Sequence, residues 1–318
     1  MSGIYLGPAV SSSESRRCRN PIDTILSSGN GTTPIGELWT IHDQGTVMAG
    51  PFTGRTLADL ASQYPREILG SAASGSRFPL LIKLLDCADW LSVQVHPDDA
   101  QAARLEGAGA CGKTEAWHIL AAEPDARLIA GTSAGITGEE LRRAILEGRL
   151  MEHVVHHEVH AGDTFFIPAG TVHALGPGLL LYEVQQNSNT TFRIYDWDRP
   201  ADAGRELHLQ QSAEVCLPSS VQPFIHGEPA HPGAQELLRC DHFILERLFS
   251  DGSAAVDRDT GSQSFHALTV VRGEGVFQAK GEAYPLGLYQ SVLVPAALGT
   301  YNFTGNFEVL CSRLPGSA

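Results

Sequence analysis

The alternation of apolar and polar positions predicts short strands over most of the chain. Residues 33–60 place short apolar stretches between Gly, Pro and Asp, a pattern typical of strands joined by turns. Residues 78–95 contain two β-like runs that are separated by the turn-forming segment 86–89. The strand pattern returns at 154–184, and it resumes over 242–312.

Helical patterns are few. Residues 97–110 begin with Pro and two acids, and residues 137–151 begin with Thr137 and then place apolar residues at helical spacing. A third helix is expected over 204–216, and the Pro-, Ser- and His-containing residues 217–234 are expected to form a linker. Many short strands with few helices favour an all-β sandwich or barrel that carries a helical insertion.

Two parts of the chain share one local pattern. Residues 162–170 and 287–297 each place an apolar strand between Gly and Pro-Ala, which suggests two related β-domains. The length of 318 residues is consistent with two domains at about 150 residues each.

Charge and composition narrow the classes of partner and compartment. The chain has 22 Lys+Arg against 36 Asp+Glu, a net charge of −14, which argues against nucleic acid or an anionic membrane as a partner. No apolar run approaches the roughly 18 residues of a membrane-spanning helix, and residues 1–20 lack the apolar core of a signal peptide. We therefore expect a cytoplasmic protein.

The cysteines and lysines add two expectations. Six scattered cysteines without a C-x-x-C pair favour free thiols in a reducing compartment: Cys18, Cys87, Cys111, Cys216, Cys240 and Cys311. Among the 22 basic residues only Lys83, Lys113 and Lys280 are lysine, so each lysine is a candidate for a specific task.

Three segments carry side chains suited to a metal. Residues 91–97 alternate strictly, so Gln94 and His96 share one face of a strand. Glu115 follows in a second segment, and His173 ends the pattern G-x5-P-x-G-x2-H, a signature of the cupin jelly-roll family. A His, Glu, His set with an amide oxygen suits a divalent cation, with zinc preferred. By contrast, we expect solvated strand positions for four other histidines: His153, His156, His157 and His160.

A polar run from Tyr182 to Arg199 provides candidates for binding an anion and moving a proton. Arg193 can hold an anionic oxygen or stabilise developing negative charge. Lys113, two residues from Glu115, is expected beside the metal, where it can transfer a proton or bind phosphate. We assign Lys113 and Arg193 as candidate catalytic residues, and both of them with Glu183 as candidate substrate-binding residues.

Four segments together resemble type I mannose-6-phosphate isomerases of the short bacterial form: LLDCADWLSVQVHPDD, GKTEAWHIL, GDTFFIPAGTVHALG and YEVQQNSNTTFRIYDWDR. The resemblance implies one zinc ion per chain, held by Gln94, His96, Glu115 and His173. It also implies Arg193 at the catalytic position, with Lys113 in the site. The implied reaction interconverts mannose 6-phosphate and fructose 6-phosphate through a cis-enediol or enediolate. The general base stays open between Lys113, a carboxylate and metal-bound water.

The resemblance implies a mainly β fold with two cupin-type jelly-roll domains. We expect a catalytic, metal-binding domain over 1–216, with a helical insertion at about 97–151, and a metal-free cupin-like domain over 217–318. Thr300 stands near the place of a ligand histidine in the second domain. The sequence departs from the family at 11–20, where a basic residue followed by Trp-Gly-Gly is expected and SSSESRRCRN is found.

Two other functions compete with the isomerase. A non-catalytic sugar-phosphate-binding cupin is compatible with the altered amino terminus. A cupin dioxygenase would use iron and a His-x-His pair, so Gln94, Lys113 and Arg193 argue against it.

Overall fold

The computed structural model describes residues 36–199, 205–227 and 229–316, with two short strands before them, β1 (Ile4–Tyr5) and β2 (Ala9–Val10). The fold is mainly β, with 43% of the described residues in strands and 15% in helices. The predicted fold class is confirmed. The sequence departure at 11–20 lies outside the described residues.

The strands up to residue 225 are β3 (Glu37–Ile41), β4 (Leu80–Cys87), β5 (Val93–Val95), β6 (Glu115–Ala122), β7 (Arg127–Thr132), β8 (Val154–Glu158), β9 (Asp163–Ile167), β10 (His173–Leu175), β11 (Leu179–Gln186), β12 (Phe192–Tyr195) and β13 (Phe224–Ile225). Those that follow are β14 (Gly233–Arg239), β15 (Ile244–Asp251), β16 (Val256–Asp259), β17 (His266–Ala279), β18 (Glu282–Leu286), β19 (Ser291–Val294) and β20 (Thr300–Arg313). The helices are α1 (Leu57–Gln63), α2 (Pro65–Ile68), α3 (Asp99–Leu105), α4 (Gly138–Leu146) and α5 (Leu209–Val215), with 3-10 turns at Leu150–Glu152 and Ala296–Leu298.

The chain divides into two compact units. The central unit comprises Val10–Leu38 and Leu84–Ile225, and the carboxyl-terminal unit comprises Met1–Ala9, Trp39–Lys83 and His226–Ala318. This division groups residues 39–83 with the carboxyl-terminal unit, whereas the sequence-based division placed them with the first domain. The grouping is discontinuous because the division passes through β3 and β4.

Two sheets provide the core of the central unit. One contains β12, β5, β10, β7 and β8 in that order, and the other contains β13, β9, β6, β11, β4, β3 and β2. Trp117 and Phe165 from the second sheet belong to one buried cluster with Leu128 and Leu175 from the first. Apolar side chains from both sheets therefore fill the space between them, as in a β-sandwich or jelly roll.

Helices cover the other face of the five-stranded sheet. Leu141 and Ile145 of α4 and Val215 of α5 share a buried cluster with Val93 and Val95 of β5. The helix predicted from Thr137 begins there, with a capping box between Thr137 and Glu140. It ends at Leu146, because Gly148 follows in the left-handed region at φ 71°.

The predicted helical insertion at 97–151 is only partly helical. Helices α3 and α4 occupy its two ends, but β6 and β7 lie between them. The first five residues of β6 are all buried, and the strand lies inside its sheet between β9 and β11. A strand buried on both faces loses the apolar–polar alternation that would mark it in the sequence.

The carboxyl-terminal unit contains one eight-stranded sheet built on two long strands. Strands β17 and β20 have 14 residues each and pair from Ala267 opposite Ser312 to Gln278 opposite Asn302, with one register shift. Strands β15, β16, β18 and β19 extend this pairing around an apolar core that includes Phe277, Phe303 and Phe307.

Candidate metal centre

Strand pairing brings three predicted site residues side by side. His173, the first residue of β10, lies directly opposite Gln94 of β5. On the other edge of β5, Gln94 lies opposite Arg193 of β12. Glu115 begins β6 in the other sheet, and His96 follows the end of β5. Residues that are far apart in sequence therefore converge because of strand register.

The ligand atoms of His96, Glu115 and His173 lie within 4.8 Å of one another, and each residue is only 1% exposed. The two carboxylate oxygens of Glu115 divide between the rings: Oε2 is 3.5 Å from His96 Nε2, and Oε1 is 3.3 Å from His173 Nε2. The amide of Gln94 joins the group, with Nε2 3.2 Å from His173 Nε2. The four predicted ligands are thus gathered at one buried point.

The second nitrogen of each ring is held by a backbone carbonyl. His96 Nδ1 is 3.0 Å from the Thr190 oxygen, and His173 Nδ1 is 2.9 Å from the Thr171 oxygen. A carbonyl only accepts hydrogen bonds, so each Nδ1 donates and each Nε2 presents a lone pair to the centre. Burial, and then the charge of Lys113, lowers the pKa of His173 to about 4, so this ring is neutral at pH 7.

Lys113 lies within the centre. Its ammonium is 2.9 Å from both His96 Nε2 and Glu115 Oε2, and the residue is 5% exposed. The placement beside Glu115 that was predicted from their two-residue spacing is therefore observed. The ammonium supplies a buried positive charge at the point where an anionic oxygen would be stabilised.

Hydrogen bonds to Asp99 and Gln186 position the segment that carries Lys113 and Glu115. Asp99 Oδ1 accepts from the Gly112 N–H at 2.7 Å and from the Gln186 side chain at 3.0 Å. Gln186 in turn accepts from the Thr114 N–H at 2.9 Å. A β-carbon at Gly112 would come within 2.6 Å of the Asp98 backbone, so this close approach requires glycine.

Arg193 is half-buried beside the centre. Burial, and then the charge of Arg205, lowers its pKa, whereas Asp196 raises it. Its backbone is held by His208, whose N–H donates to the Arg193 carbonyl at 2.7 Å. Among the described residues, the buried Nε–H of Arg193 has no hydrogen-bond acceptor. This donor is therefore available to a ligand.

Glu183 lies behind the ligand set. Its Oε2 accepts a hydrogen bond from Trp117 Nε1 at 2.9 Å, and the Trp117 ring packs edge-on against His173, with centroids 5.4 Å apart. The carboxylate contributes to the electrostatics of the centre by favouring the protonated form of His173. Direct substrate contact by Glu183 stays a prediction.

The four other histidines lie on or beside the edge strand β8. His156 is exposed and packs against Trp90, and His160 is exposed near Asp163. His157 is half-buried, with Nε2 3.0 Å from the Ala130 carbonyl. None of these histidines belongs to a cluster of three or more metal-ligating side chains among the residues that the structure describes.

Lys83 is a buried cation that sequence reasoning noted but did not assign to a site. It is 8% exposed, and its ammonium lies 5.6 Å from the centroid of the Trp39 ring. The scarcity of lysine was a signal for this residue. Its position inside the continuous apolar run of β4 concealed which way the side chain points.

The donor set fits a transition-metal ion. Two neutral imidazole nitrogens, one carboxylate and one side-chain amide can supply four ligands, and neutral imidazole with carboxylate is a common zinc set. The backbone carbonyls on both Nδ1 atoms are the outer contacts that orient metal-bound histidines.

Comparisons with known proteins identify relatives of this chain. A family model described as phosphomannose isomerase type I, catalytic domain, matches residues 12–115. Mannose-6-phosphate isomerase ManA of Bacillus subtilis is 37% identical over 303 residues, 92% of this chain and 94% of that protein. The mannose-6-phosphate isomerase of Streptococcus mutans is 36% identical over 289 residues. The match spans 87% of this chain and 88% of that protein.

Solved structures show the same fold. The crystal structure of the Bacillus subtilis mannose 6-phosphate isomerase superposes with a TM-score of 0.85 at 30% identity, covering 98% of this chain and 99% of that one. A zinc-bound mannose 6-phosphate isomerase superposes with a TM-score of 0.78 at 16% identity, covering 98% of this chain and 99% of that one.

Fold and site together define the class of this chain, which is a cupin-type protein with a buried His-Glu-His set suited to a divalent metal. Within that class, the chain belongs to the type I mannose-6-phosphate isomerase family. Across the described residues, every helix is too short or too polar to cross a membrane.

Proposed function

We propose that this protein interconverts mannose 6-phosphate and fructose 6-phosphate. The observation that carries the proposal is the convergence of His96, Glu115 and His173 on one buried point, with the ammonium of Lys113 in contact, in a chain of this family. An aldose–ketose isomerase must move a proton between adjacent carbons and stabilise the resulting enediolate. A buried centre that combines metal ligands with a cation is suited to that task.

The cofactor is zinc, one ion per chain, held by Gln94, His96, Glu115 and His173. When bound, zinc supplies Lewis acidity that favours negative charge on the sugar oxygens. The Lys113 ammonium lies against His96 Nε2 and Glu115 Oε2, so it would have to release the His96 lone pair for that ring to hold the metal.

The cationic side chains bind and orient the sugar phosphate. Arg193 offers its free Nε–H to an anionic oxygen, and its charge stabilises the enediolate. Lys113 holds a second oxygen or moves a proton at the reacting carbons. Glu183, fixed by Trp117, adds a negative charge that can orient a sugar hydroxyl. The general base is one of Lys113, a carboxylate or a water molecule in the centre.

The two competing functions are less well supported. A binding-only cupin has no need for a buried lysine against the metal ligands, at 2.9 Å from both His96 and Glu115. An iron dioxygenase requires open metal positions for oxygen chemistry, and the set here includes Gln94 beside His173 in place of a His-x-His pair.

The compartment we propose is the cytoplasm, and the partner is a small sugar phosphate rather than nucleic acid. The described cysteines form no disulfide with one another, as expected in a reducing compartment: Cys87, Cys111, Cys216, Cys240 and Cys311. The net charge of −14 disfavours nucleic acid as a partner.

For the domains, we propose one metal-binding cupin domain followed by one that holds no metal. Thr300, the residue near the expected ligand position of the second domain, is exposed. His266 is buried there, but its Nδ1 is 2.7 Å from the hydroxyl of Tyr301.

A chelation-controlled assay tests the function. The purified protein is assayed on mannose 6-phosphate, with fructose 6-phosphate detected by a coupled enzyme, before chelation, after chelation and after zinc is added back. We expect turnover that chelation abolishes and zinc restores. Zinc binding without turnover would support the binding-only cupin, and chelator-resistant turnover would contradict the zinc-dependent mechanism.

A further inference from the structure

The carboxyl-terminal unit contains a polar cavity of about 330 Å³ that the isomerase proposal does not use. Its walls come from four strands and the loop after β16, and they include Glu246, Arg258, Gln263, Ser264, His266 and Arg313. The same strands contribute apolar side chains to the core of this unit, so a polar lining here is unusual.

Strand alternation directs these charged side chains inward. Arg313 is two residues from the buried Cys311 on β20, and Glu246 is two residues from the buried Leu248 on β15. On β16, Arg258 is two residues from the buried Val256. The charges therefore occupy core-facing positions, where an unpaired ion is costly.

The charges of Glu246, Arg258 and Arg313 do not cancel. Both carboxylate oxygens of Glu246 accept from Arg313, at 3.0 Å from Nε and 3.2 Å from Nη2, and Oε2 also accepts from Arg258 Nη2. One carboxylate thus faces two guanidinium groups. Among the described residues, the Nε–H of Arg258 has no hydrogen-bond acceptor. Glu246, Arg258 and Arg313 together have a net charge of +1 and an unused donor, whereas the exposed Asp257 and Asp259 add two negative charges at the opening.

Three other titratable groups beside the cluster are neutral. Burial, and then the charge of Arg258, lowers the pKa of His266 to about 3. Burial raises the pKa of Cys311 to about 12, and it raises the pKa of Tyr301 well above its usual value. At pH 7 these three side chains therefore leave the excess positive charge in place.

Two acids at the rim select against highly charged ligands. Asp257 and Asp259 line the cavity, but they are exposed and occupy the opposite face of β16 from Arg258. Their negative charges repel a dianion that approaches the opening. A monoanion neutralises the excess charge of the two arginines with less repulsion at the rim.

We propose that this cavity binds a small monoanionic carboxylate. The planar carboxylate matches the guanidinium fork, and the volume accommodates a ligand of a few carbon atoms. The inference does not depend on the proposed isomerase activity, since it uses residues of the carboxyl-terminal unit alone.

Equilibrium dialysis of the zinc-loaded, full-length protein tests the site, with radiolabelled glycolate as the probe and inorganic phosphate as competitor. Glycolate should bind saturably with one equivalent per chain. Arg258→Gln should weaken glycolate binding at least tenfold, because the site loses one guanidinium group and its positive charge. Arg272→Gln, which changes a solvent-exposed arginine of the same unit, should leave binding unchanged.

Further arms separate this cavity from the metal centre. Arg193→Ala should retain glycolate binding, and phosphate should compete weakly. Absence of saturable binding, binding unchanged in Arg258→Gln, or binding lost in Arg193→Ala would each overturn the proposal. Phosphate that displaces glycolate at equal concentration would overturn the assignment to a monoanion.

If Arg258→Gln does not fold, the wild-type protein still provides a test. Glycolate should shift the ring ¹⁵N signals of His266, assigned by their loss in His266→Gln, with the same dissociation constant as dialysis. An unchanged His266 spectrum at saturating glycolate would contradict binding in this cavity. Neither measurement uses turnover, so its outcome is separate from that of the isomerase assay.

Discussion

His173 is prepared for its task by neighbours on both sides of its ring. Thr171 accepts from Nδ1 at 2.9 Å, while Nε2 points toward Glu115 and Gln94. Because burial keeps its pKa at about 4, the ring holds a free lone pair at neutral pH. Residue environment, as well as residue identity, makes this side chain a metal ligand.

Metal binding and catalysis should separate by residue. We expect His173→Ala to lose zinc, because one of four ligands and its lone pair are removed. Arg193→Ala should retain one zinc per chain but lose roughly 10²- to 10³-fold in kcat, the usual effect of removing a donor to a developing oxyanion. Metal analysis and steady-state kinetics of both variants check this prediction.

Matched surface variants serve as controls. His156→Ala removes an exposed histidine, and Arg127→Ala removes a half-exposed arginine that pairs with Glu158. Both should keep zinc and turnover. Loss of zinc in Arg193→Ala, or full zinc occupancy in His173→Ala, would show that the assigned roles are wrong.

At the residue scale, the sequence predicted the ligand set from alternation and spacing. Gln94 and His96 lie two apart on one strand, and His173 ends a recognisable pattern. The sequence could not predict that the Lys113 ammonium also contacts His96, because that contact depends on how two separate segments pack.

At the element scale, the segment between α3 and β6 depends on one glycine. Gly112→Ala would place a β-carbon 2.6 Å from both Asp98 C and Asp99 N, so the segment carrying Lys113 and Glu115 must shift. We expect zinc affinity and kcat each to fall about tenfold or more, since outer contacts of a metal site are worth that much. Zinc titration and kinetics test the variant.

Gly138→Ala is the matched control for this substitution. Gly138 is the first residue of α4, and nothing lies within 4 Å of an added β-carbon. Alanine is favourable in a helix, so stability should be equal or slightly higher, with activity unchanged. Equal effects of the two substitutions would show that the close approach at Gly112 is unimportant.

Element prediction succeeded where one face of an element meets water. Helix α4 shows this, because its cap and apolar stripe are both local features of residues 137–146. It was less successful for 97–151, where β6 and β7 replace part of the predicted helical insertion. The buried start of β6 contains Glu115 and His118, polar residues that serve the interior rather than solvent.

At the scale of the whole molecule, buried neutral histidine makes stability depend on pH. The pKa of His266 is about 3 in the folded protein, against 6.5 for the free side chain. The unfolded chain therefore binds an additional proton below pH 6.5, and stability falls as the pH falls from about 6.5 toward 3. When the pH is lowered from 7 to 5, this group should reduce the free energy of unfolding by about 2 kcal/mol.

Urea unfolding at pH 7 and pH 5 tests this linkage. His266→Gln should reduce the stability difference between the two pH values by about 2 kcal/mol. His160→Gln, at an exposed position, should leave that difference unchanged. Protonation of the metal ligands contributes equally to all three proteins and cancels in the comparison. An undiminished difference in His266→Gln would contradict the assignment.

The sequence by itself determined the strand-rich character, the family and the candidate ligands, because these follow from local periodicity and from motifs read along the chain. The tertiary structure alone decided which atoms meet. Gln94 and His173 are 79 residues apart, yet they face each other across β5 and β10. It also decided that Arg258 and Arg313 share one carboxylate, Glu246. Such contacts depend on strand register and packing between distant segments, which local backbone preference does not specify.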